Sequence, residues 1–363
     1  MNLNTREIFL YLVRLGIALT DNRDKTEGCT KTEEEWNDLK VLADQQGLSA
    51  IVLDGIAKCH DNIRIPAQLK LKWIGESLRV ESLSSLQCVV AKDVSKLFYR
   101  NGIRTYVLKG IIVAECYPKP NHRLSVDIDC YLLPDKGVFD AWSLGNELIE
   151  KKGFRVNRDF YKNSSFDISG VNIENHQYLT PFRGNERLIA LEKLLQSLLK
   201  QDDGKNVIEG TYLYRPPVMV SALFLIEHAY SHFLHEGLTW RMVLDWLLFS
   251  QKHHDEIEWD DFERKVDEFG FRRFYDALTK LGRYLQGEVG DNDLSKPEKK
   301  MLEDIWKPLD VHETVRGLKG KLALAGNTWR ARWKYKYFSD LSMPQALWIQ
   351  VKGFLFDKNP KLS

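Results

Sequence analysis

The stretch that most constrains this chain is residues 104–133, RTYVLKGIIVAECYPKPNHRLSVDIDCYLL. Its pattern predicts a short apolar strand that ends at Lys109-Gly110, then a helical run, a Pro-Lys-Pro turn and a second strand. Side chains alternate faces along a strand, so Asp127 and Asp129 share one face and the apolar residues between and after them take the other. We therefore expect two carboxylates side by side on an exposed face.

Two carboxylates this close repel each other unless a cation lies between them, and in proteins a divalent metal ion is the usual occupant. Such a pair is nonetheless frequent on surface strands, and for the pair alone we favour the simpler interpretation of two solvated charges. Three nearby features favour a chemical role: the Lys109-Gly110 turn, Arg123 four residues before the pair, and Glu174 on a later strand.

The chemistry that these features favour is metal-dependent phosphoryl or nucleotidyl transfer. A glycine turn at the start of a helix offers free backbone N–H groups and the positive end of the helix dipole to phosphate oxygens. In this hypothesis Glu174 also helps to deprotonate the acceptor hydroxyl; the alternative is that it pairs with an arginine. The candidate ligands of Mg²⁺ or Mn²⁺ are Asp127, Asp129 and Glu174, and the candidate phosphate ligands are Lys109, Gly110 and Arg123.

Helical periodicity dominates the chain on both sides of this stretch. A capping box at Thr32 and Glu35 and a long apolar repeat over 66–100 predict helices before it. We therefore expect an α+β, mixed fold, in which a small mixed-sheet core is flanked by all-helical regions. The predicted domains are a helical N-terminal region at 1–102, an α/β core at 103–182 and a helical C-terminal domain at 183–363.

The core is predicted to alternate strands with short helices. Its expected strands lie at 104–108, 126–133 and near 154–160, its helices at 110–117 and 136–152, and its hairpin at 165–169 and 171–178, with the turn at Ser169-Gly170. In the second hairpin strand, Asn172, Glu174 and His176 share a face. The C-terminal domain is predicted to form helices at 185–201, 217–235, 239–253, 259–269, 271–287, 295–306, 311–325 and 344–356, with a loop at 202–217.

The charge balance, the cysteines and the apolar runs of the sequence bear on the kind of binding partner and on the cellular compartment. The 52 lysines and arginines nearly balance the 51 aspartates and glutamates, which argues against a long nucleic acid as partner. Five cysteines at 29, 59, 88, 116 and 130 form no C-x-x-C pair, and the N-terminus favours an amphipathic helix over a signal peptide. No apolar run is long enough to span a bilayer, so we expect a cytoplasmic protein.

The series VLKG, ECYPKP and HRLSVDIDCYLL resembles the polymerase-β-type nucleotidyltransferase superfamily. More narrowly, it is similar to a bacterial branch of uncharacterised nucleotidyltransferases, in which a later strand carries an acid and a histidine two residues on, as Glu174 and His176 do here. The resemblance covers about residues 30–250. This chain departs from the superfamily pattern at two positions. Ile111 follows the glycine where the superfamily usually has Ser or Thr, and the third acidic residue is Glu174 where many members have an aspartate.

The same resemblance extends to two helical segments, IEHAYSHF and TWRMVLDW. His228 and His232 share a helix face, and we favour packing between helices over metal ligation, with closure over the nucleotide or acceptor as a third possibility. Arg241 and Asp245, one turn apart, predict a salt bridge, with a phosphate contact by Arg241 as the alternative. The basic and aromatic run at 328–338 is more typical of an amphipathic helix than of a base-stacking surface.

The resemblance implies transfer of a nucleoside monophosphate from a nucleoside triphosphate to a hydroxyl of an unidentified acceptor, such as a small molecule or saccharide. Two alternatives stay open. One is a protein-modifying enzyme of the same fold that transfers AMP or another nucleotide to a partner protein. The other is a catalytically degenerate nucleotide-binding or scaffold protein, which the missing Ser or Thr after Gly110 allows.

Overall fold

The computed structural model describes residues 3–19, 32–59, 65–135, 139–158, 160–182, 184–309, 329 and 331–356. Within these residues, helices precede and follow one five-stranded mixed sheet, and helices also lie between its strands. The predicted α+β class is therefore confirmed. Four of the five strands lie between residues 103 and 176, in the region where the strand patterns predict them, and the fifth follows at 213–214.

Four helices form the N-terminal part: α1 (Leu3–Gly16), α2 (Glu33–Gln45), α3 (Ser49–Lys58) and α4 (Ala67–Tyr99). The predicted capping box of α2 is present, because the Thr32 hydroxyl accepts from the Glu35 N–H and the Glu35 carboxylate accepts from the Thr32 N–H. Helices α1 and α3 pack closely at Gly55, where a Cβ atom would lie 2.0 Å from the Leu12 carbonyl oxygen. Any larger residue at this position would force the two helices apart.

The long helix α4 has the predicted bounds, but its apolar residues are not all in the core. Trp73, Val90 and Phe98 are buried, whereas Leu71 and Val89 are 70% and 57% exposed. These exposed positions lie directly beside buried ones, so neighbouring elements cover only one side of the helix and apolar residues on its other side meet solvent.

The sheet contains β1 (Ile103–Val107), β2 (Asp127–Pro134), β3 (Asn163–Ile168), β4 (Val171–His176) and β5 (Leu213–Tyr214), in the order β3-β4-β2-β1-β5. Strands β1 and β2 are antiparallel, as are β3 and β4, whereas β2 pairs with β4 and β1 with β5 in parallel. The β3–β4 hairpin turns at Ser169-Gly170 as predicted. Both residues have positive φ, 57° and 83°, which matches the twist of a tight hairpin.

Three expectations, two in the predicted core and one in the loop at 202–217, differ from the structure. The helix after β1, α5 (Ile111–Ala114), is shorter than the predicted 110–117. The predicted strand near 154–160 is reduced to one antiparallel bridge between Asn157 and Ser165. Strand β5, inside the predicted loop at 202–217, was not anticipated because two residues are too short to show alternation. Helix α6 (Ala141–Lys151) lies within the predicted 136–152, whose residues 136–138 fall outside the described ranges.

Helices again dominate after the sheet, as predicted: α7 (Glu186–Gln201), α8 (Val218–His235), α9 (Trp240–Lys252), α10 (Trp259–Glu268), α11 (Arg272–Gln286), α12 (Lys296–Ile305), α13 (Arg332–Phe338) and α14 (Met343–Phe356). The predicted helix at 311–325 lies outside the described residues. Across the described part of the chain, no helix combines the length and the apolar character that crossing a membrane requires.

The basic and aromatic run at 328–338 packs where the structure describes it. Tyr335 and Phe338 are buried, and the ammonium group of buried Lys334 lies 2.7 Å from both the Asp304 carboxylate and the Phe233 carbonyl oxygen. These contacts agree with the amphipathic interpretation of the run.

The N-terminal helices pack directly on the C-terminal ones. The buried amide of Gln46 accepts a hydrogen bond from the Trp240 N–H (2.8 Å) and donates one to the Ile305 carbonyl (2.9 Å). The guanidinium of Arg14, in α1, donates to the Tyr284 carbonyl of α11 (3.0 Å). Hydrogen bonds between polar side chains and backbone carbonyl or amide groups therefore link the N-terminal helices to the C-terminal helices.

Candidate active site

The parallel pairing of β2 with β4 brings two acidic residues together. In this ladder Asp129 lies opposite Glu174 and Tyr131 lies opposite His176, so the side chains of these residues share one face. Asp127 lies two residues earlier on that face. The expected exposure of the pair is wrong for one member, because the Asp129 side chain is 1% exposed whereas that of Asp127 is 25% exposed. Neighbouring side chains from other elements cover Asp129.

Lys109 is the first of these neighbours. Its ammonium group lies 3.1 Å from the Asp129 carboxylate and 3.8 Å from that of Asp127, so it forms an ion pair with both. The turn that directs it inward needs a glycine at the next position. Gly110 has a φ of +64°, and a Cβ atom there would lie 3.0 Å from the Ser125 hydroxyl oxygen.

His176 is the second neighbour of Asp129. Its Nδ1 lies 3.2 Å from the Tyr178 carbonyl oxygen, which can only accept, so Nδ1 carries a hydrogen. Its Nε2 lies 3.0 Å from an Asp129 oxygen and 3.6 Å from a Glu174 oxygen. Burial works against the charged imidazole, but these hydrogen bonds to carboxylates raise the pKa of His176.

The surroundings give the two aspartates different proton affinities. Burial alone would favour the neutral form of Asp129, but Lys109 and His176 outweigh it and hold the pKa of Asp129 well below its ordinary value. For Asp127, burial and the charge of Asp129 together raise the pKa, and Lys109 offsets only part of the change. Asp129 is therefore a fixed anion, and Asp127 is the carboxylate whose charge responds more readily to an added cation.

Three side chains are placed so that they fit a metal ion. Among the described residues, Asp129, Glu174 and His176 each offer a ligand atom, and these atoms all lie within 4.8 Å of one another. Carboxylate oxygens suit Mg²⁺ and Mn²⁺, and an imidazole nitrogen is a better ligand for Mn²⁺ and later transition metals than for Mg²⁺. His176, predicted as accessory, thus lies in this group, while Asp127 lies beside it and faces a cavity.

That cavity has a volume of about 440 Å³ and separates the sheet from α8. Its sheet side includes Lys109, Asp127 and Glu174, and the segment before β3 together with the first residues of β3 adds Asn157, Phe160, Lys162, Asn163 and Ser165. Helix α8 and its C-terminal end contribute Glu227, His228, Ser231, His232, His235 and Glu236. The size is within the range of small-molecule sites.

The two histidines predicted on α8 line this cavity, whereas the favoured interpretation was packing between helices. His228 Nε2 lies 3.1 Å from the Lys109 ammonium nitrogen. The rings of His228 and His232 are 4.4 Å apart, and His232 Nδ1 lies 2.8 Å from a Glu236 oxygen. Their placement agrees with the third possibility considered for them, a helix face that covers the site.

A buried cluster holds the loop that leads into β2. Arg123 donates two hydrogen bonds to Asp245, at 2.7 and 2.8 Å, and the Tyr117 hydroxyl donates to the same carboxylate at 2.6 Å. The predicted salt bridge between Arg241 and Asp245 is therefore wrong, because the guanidinium of Arg123 reaches Asp245 from another element with two-point geometry. Arg241 instead donates to the Leu124 carbonyl at 3.1 Å.

Two residues considered as phosphate ligands, Arg123 and Arg241, bond to protein groups around this loop instead. Arg123 is 4% exposed, and its guanidinium faces Asp245 rather than the cavity. Arg241 is likewise engaged with the backbone just before β2. Both arginines hold the loop that carries Asp127 into position, and neither lines the cavity.

One cavity residue was missed in the sequence although it left a signal. Glu227 is the single acidic residue within the apolar run VMVSALFLIEHAY, and a charged side chain is rarely placed in such a run. It is 2% exposed in the structure and borders the same cavity as Asp127 and Glu174.

The chain was also compared with known families and proteins. A sequence model described as uncharacterised nucleotidyltransferase matches residues 32–286, which span α2 to α11 and include the sheet and α8. Searches of curated proteins and of solved structures find no significant match.

Proposed function

This chain belongs to the family of uncharacterised nucleotidyltransferases, and we propose that it transfers a nucleoside monophosphate to an acceptor hydroxyl with the help of a divalent metal ion. Nucleotidyl transfer from a nucleoside triphosphate follows from the family. Metal dependence and the hydroxyl acceptor are the proposal. The observation that carries it is the group of Asp129, Glu174 and His176 beside Asp127, at the wall of a cavity of about 440 Å³.

The donor set fits a divalent ion, and Asp129 and Glu174 would hold it, with His176 as a third donor and Asp127 joining from the cavity side. A bound divalent ion would neutralise charge on the triphosphate and stabilise the leaving pyrophosphate. The tautomer of His176 suits this role, because the Tyr178 carbonyl holds a hydrogen on Nδ1 and leaves Nε2 toward the carboxylates.

Lys109 and Gly110 would bind the phosphates. The Lys109 ammonium is held by Asp129 on one side and His228 on the other, so its position at the cavity wall is fixed before a ligand arrives. Gly110 does not itself line the cavity, and its positive φ forms the turn that places Lys109 at the cavity wall, so its phosphate contact would be made through the backbone of this turn. In transfer, the acceptor oxygen attacks the α-phosphorus and pyrophosphate leaves.

Thermal unfolding with each of the four ribonucleoside triphosphates, with and without Mn²⁺ or Mg²⁺, tests the proposal. A ligand that binds the folded state raises the unfolding midpoint by mass action. We expect a metal-dependent rise with at least one triphosphate, and its loss in Asp127→Ala. A midpoint that no triphosphate shifts would contradict the proposal.

A further inference from the structure

Glu227 is buried without a hydrogen-bond partner for one of its oxygens. Its side chain lies in the middle of α8 and is 2% exposed, and among the described residues nothing donates to its Oε2. Burying a carboxylate in this way is unfavourable, because the group loses hydration without gaining hydrogen bonds. Glu227 also borders the cavity that contains Asp127 and Glu174, which places the residue at a wall that a bound molecule would contact.

A second buried glutamate shows what a structural role looks like in this protein. Glu192, in α7, accepts hydrogen bonds from the backbone N–H groups of Leu179 (3.0 Å) and Thr180 (2.7 Å) and from the Gln196 amide (2.7 Å). It therefore ties α7 to the segment after β4. Glu227 makes no comparable set of contacts within the described residues, so stability does not explain it.

The groups around Glu227 set its proton affinity. Burial raises the pKa of Glu227 to about 7, with Lys162 lowering it and Glu192 raising it, and with His176 lowering it slightly. A carboxylate with a pKa near 7 accepts a proton readily at neutral pH, as a general base does. A carboxylate that binds a metal ion loses basicity to the cation, so Glu174 is a weaker candidate for this role.

From this placement we propose that Glu227 accepts the proton of the acceptor hydroxyl and that the α8 wall of the cavity is the acceptor subsite. The inference rests on the proposed function and revises the expectation that Glu174 serves as the base. In the step, the acceptor O–H bond breaks and its proton moves to the Glu227 carboxylate. The acceptor oxygen bonds to the α-phosphorus, and the bond from that phosphorus to the β-phosphate bridging oxygen breaks, so pyrophosphate leaves with the electron pair.

The chemistry of the cavity indicates the class of acceptor. Lys109 lies on the sheet side of the cavity, where the triphosphate would bind, whereas the described lining residues of the α8 wall include the carboxylates of Glu227 and Glu236 and no lysine or arginine, which disfavours an anionic acceptor at that wall. Hydroxyl and amide groups of Ser165 and Ser231 and of Asn163 offer hydrogen bonds to a neutral one. We therefore assign the acceptor to the class of uncharged polyhydroxyl compounds, small enough to enter with the triphosphate or presenting one end to the cavity.

Two glutamate-to-glutamine variants form a matched pair for the test. Glu227→Gln and Glu192→Gln remove one buried carboxylate each with almost no change in shape, and Glu147→Gln on the exposed face of α6 serves as the neutral control. Each is examined at pH 8 for its unfolding midpoint, for the metal-dependent shift with triphosphate, and for pyrophosphate release with water or glycerol as the hydroxyl probe.

For Glu227→Gln we expect an unfolding midpoint at or above that of the unsubstituted protein, an unchanged metal-dependent triphosphate shift, and a loss of pyrophosphate release of at least about 100-fold. Glu192→Gln should lower the midpoint. A lower midpoint in Glu227→Gln would make the residue structural, and a weaker triphosphate shift would place it at the nucleotide; either result overturns the inference, as does undiminished pyrophosphate release. If no triphosphate shifts the unfolding midpoint of the unsubstituted protein, the proposed function itself is rejected.

Discussion

His228 accepts a hydrogen bond from Lys109, with the imidazole Nε2 and the ammonium nitrogen 3.1 Å apart. Burial and the Lys109 charge hold the pKa of His228 well below its ordinary value, so the ring is neutral and has a lone pair to offer. Burial disfavours the Lys109 ammonium, but Asp129 and Asp127 outweigh it and raise the pKa of Lys109. The contact therefore joins α8 to the Lys109-Gly110 turn through a lysine that stays protonated.

Replacing His228 should loosen this connection. In His228→Ala, Lys109 loses a hydrogen-bond acceptor, and we expect the free energy of unfolding to fall by about 1.5 kcal/mol. In His228→Gln the side-chain oxygen can still accept, so the loss should be smaller. Urea unfolding at pH 7.5 measures both, and equal losses in the two variants would show that the ring packs against Phe224 without a useful hydrogen bond.

The two aspartates of β2 should respond differently to substitution. Asp129→Ala leaves the buried Lys109 ammonium without its nearest carboxylate and the His176 imidazole without its Nε2 partner, and we expect it to lower the free energy of unfolding by about 3–5 kcal/mol. Asp127→Ala removes a more exposed carboxylate, so its effect on stability should be below about 1 kcal/mol. Urea unfolding of the two variants decides this, and equal destabilisation would contradict the different burial of the pair.

Loss of Asp245 should destabilise the loop before β2. Asp245→Asn leaves the guanidinium of Arg123 buried with a neutral partner, and we expect a loss of about 3–5 kcal/mol. Tyr117→Phe removes one hydrogen bond to the same carboxylate, with an expected loss of about 1.5–3 kcal/mol. As a control, Arg241→Gln should leave the Arg123 pair intact; a larger loss there than in Asp245→Asn would restore the originally expected partner.

Stability should depend on pH through Glu227. The pKa of Glu227 is about 7 in the folded protein against an ordinary value of 4.5, so the folded state favours the protonated acid. Its contribution is thus fully present below about pH 4.5 and is lost as pH rises through 7, by about 3 kcal/mol at most. The difference in unfolding free energy between the unsubstituted protein and Glu227→Gln, followed from pH 5 to 8.5, should change by this order. A pH-independent difference would mean that Glu227 has an ordinary pKa.

Manganese should bind better than magnesium. One of the three clustered donors is the His176 imidazole, which suits Mn²⁺ more than Mg²⁺. We expect Mn²⁺ alone to raise the unfolding midpoint more than Mg²⁺ at the same concentration, and chelation by EDTA to reverse the rise. His176→Ala should narrow the difference between the two ions, and an unchanged preference in that variant would exclude His176 as a ligand.

Much of the fold was predictable because its signals are local. The Thr32 capping box, the Ser169-Gly170 hairpin turn and the helices after residue 185 each follow from residues within one or two turns of the chain. Asp127 and Asp129 on one strand face, and Lys109-Gly110 at a turn, are local patterns of the same kind. These features needed no knowledge of which elements lie side by side.

The rest depends on contacts between distant segments. The register that sets Asp129 opposite Glu174 joins strands 45 residues apart in sequence, and no local pattern specifies it. The pairing of Arg123 with Asp245 was missed for the same reason, because helical spacing favoured a nearer arginine. The burial of Asp129 arises from Lys109 and His176 together, which only the assembled sheet and turn bring to one place.

The amide of Gln46 has a consequence for the order in which the protein forms during synthesis. It bonds to the backbone at residues 240 and 305, so its last partner leaves the ribosome about 260 residues after it does. The N-terminal helices are thus made long before the surface that satisfies this buried side chain exists. Because α9 also carries Asp245, which holds the loop before β2, a nascent chain has no assembled candidate active site until most of its length has emerged.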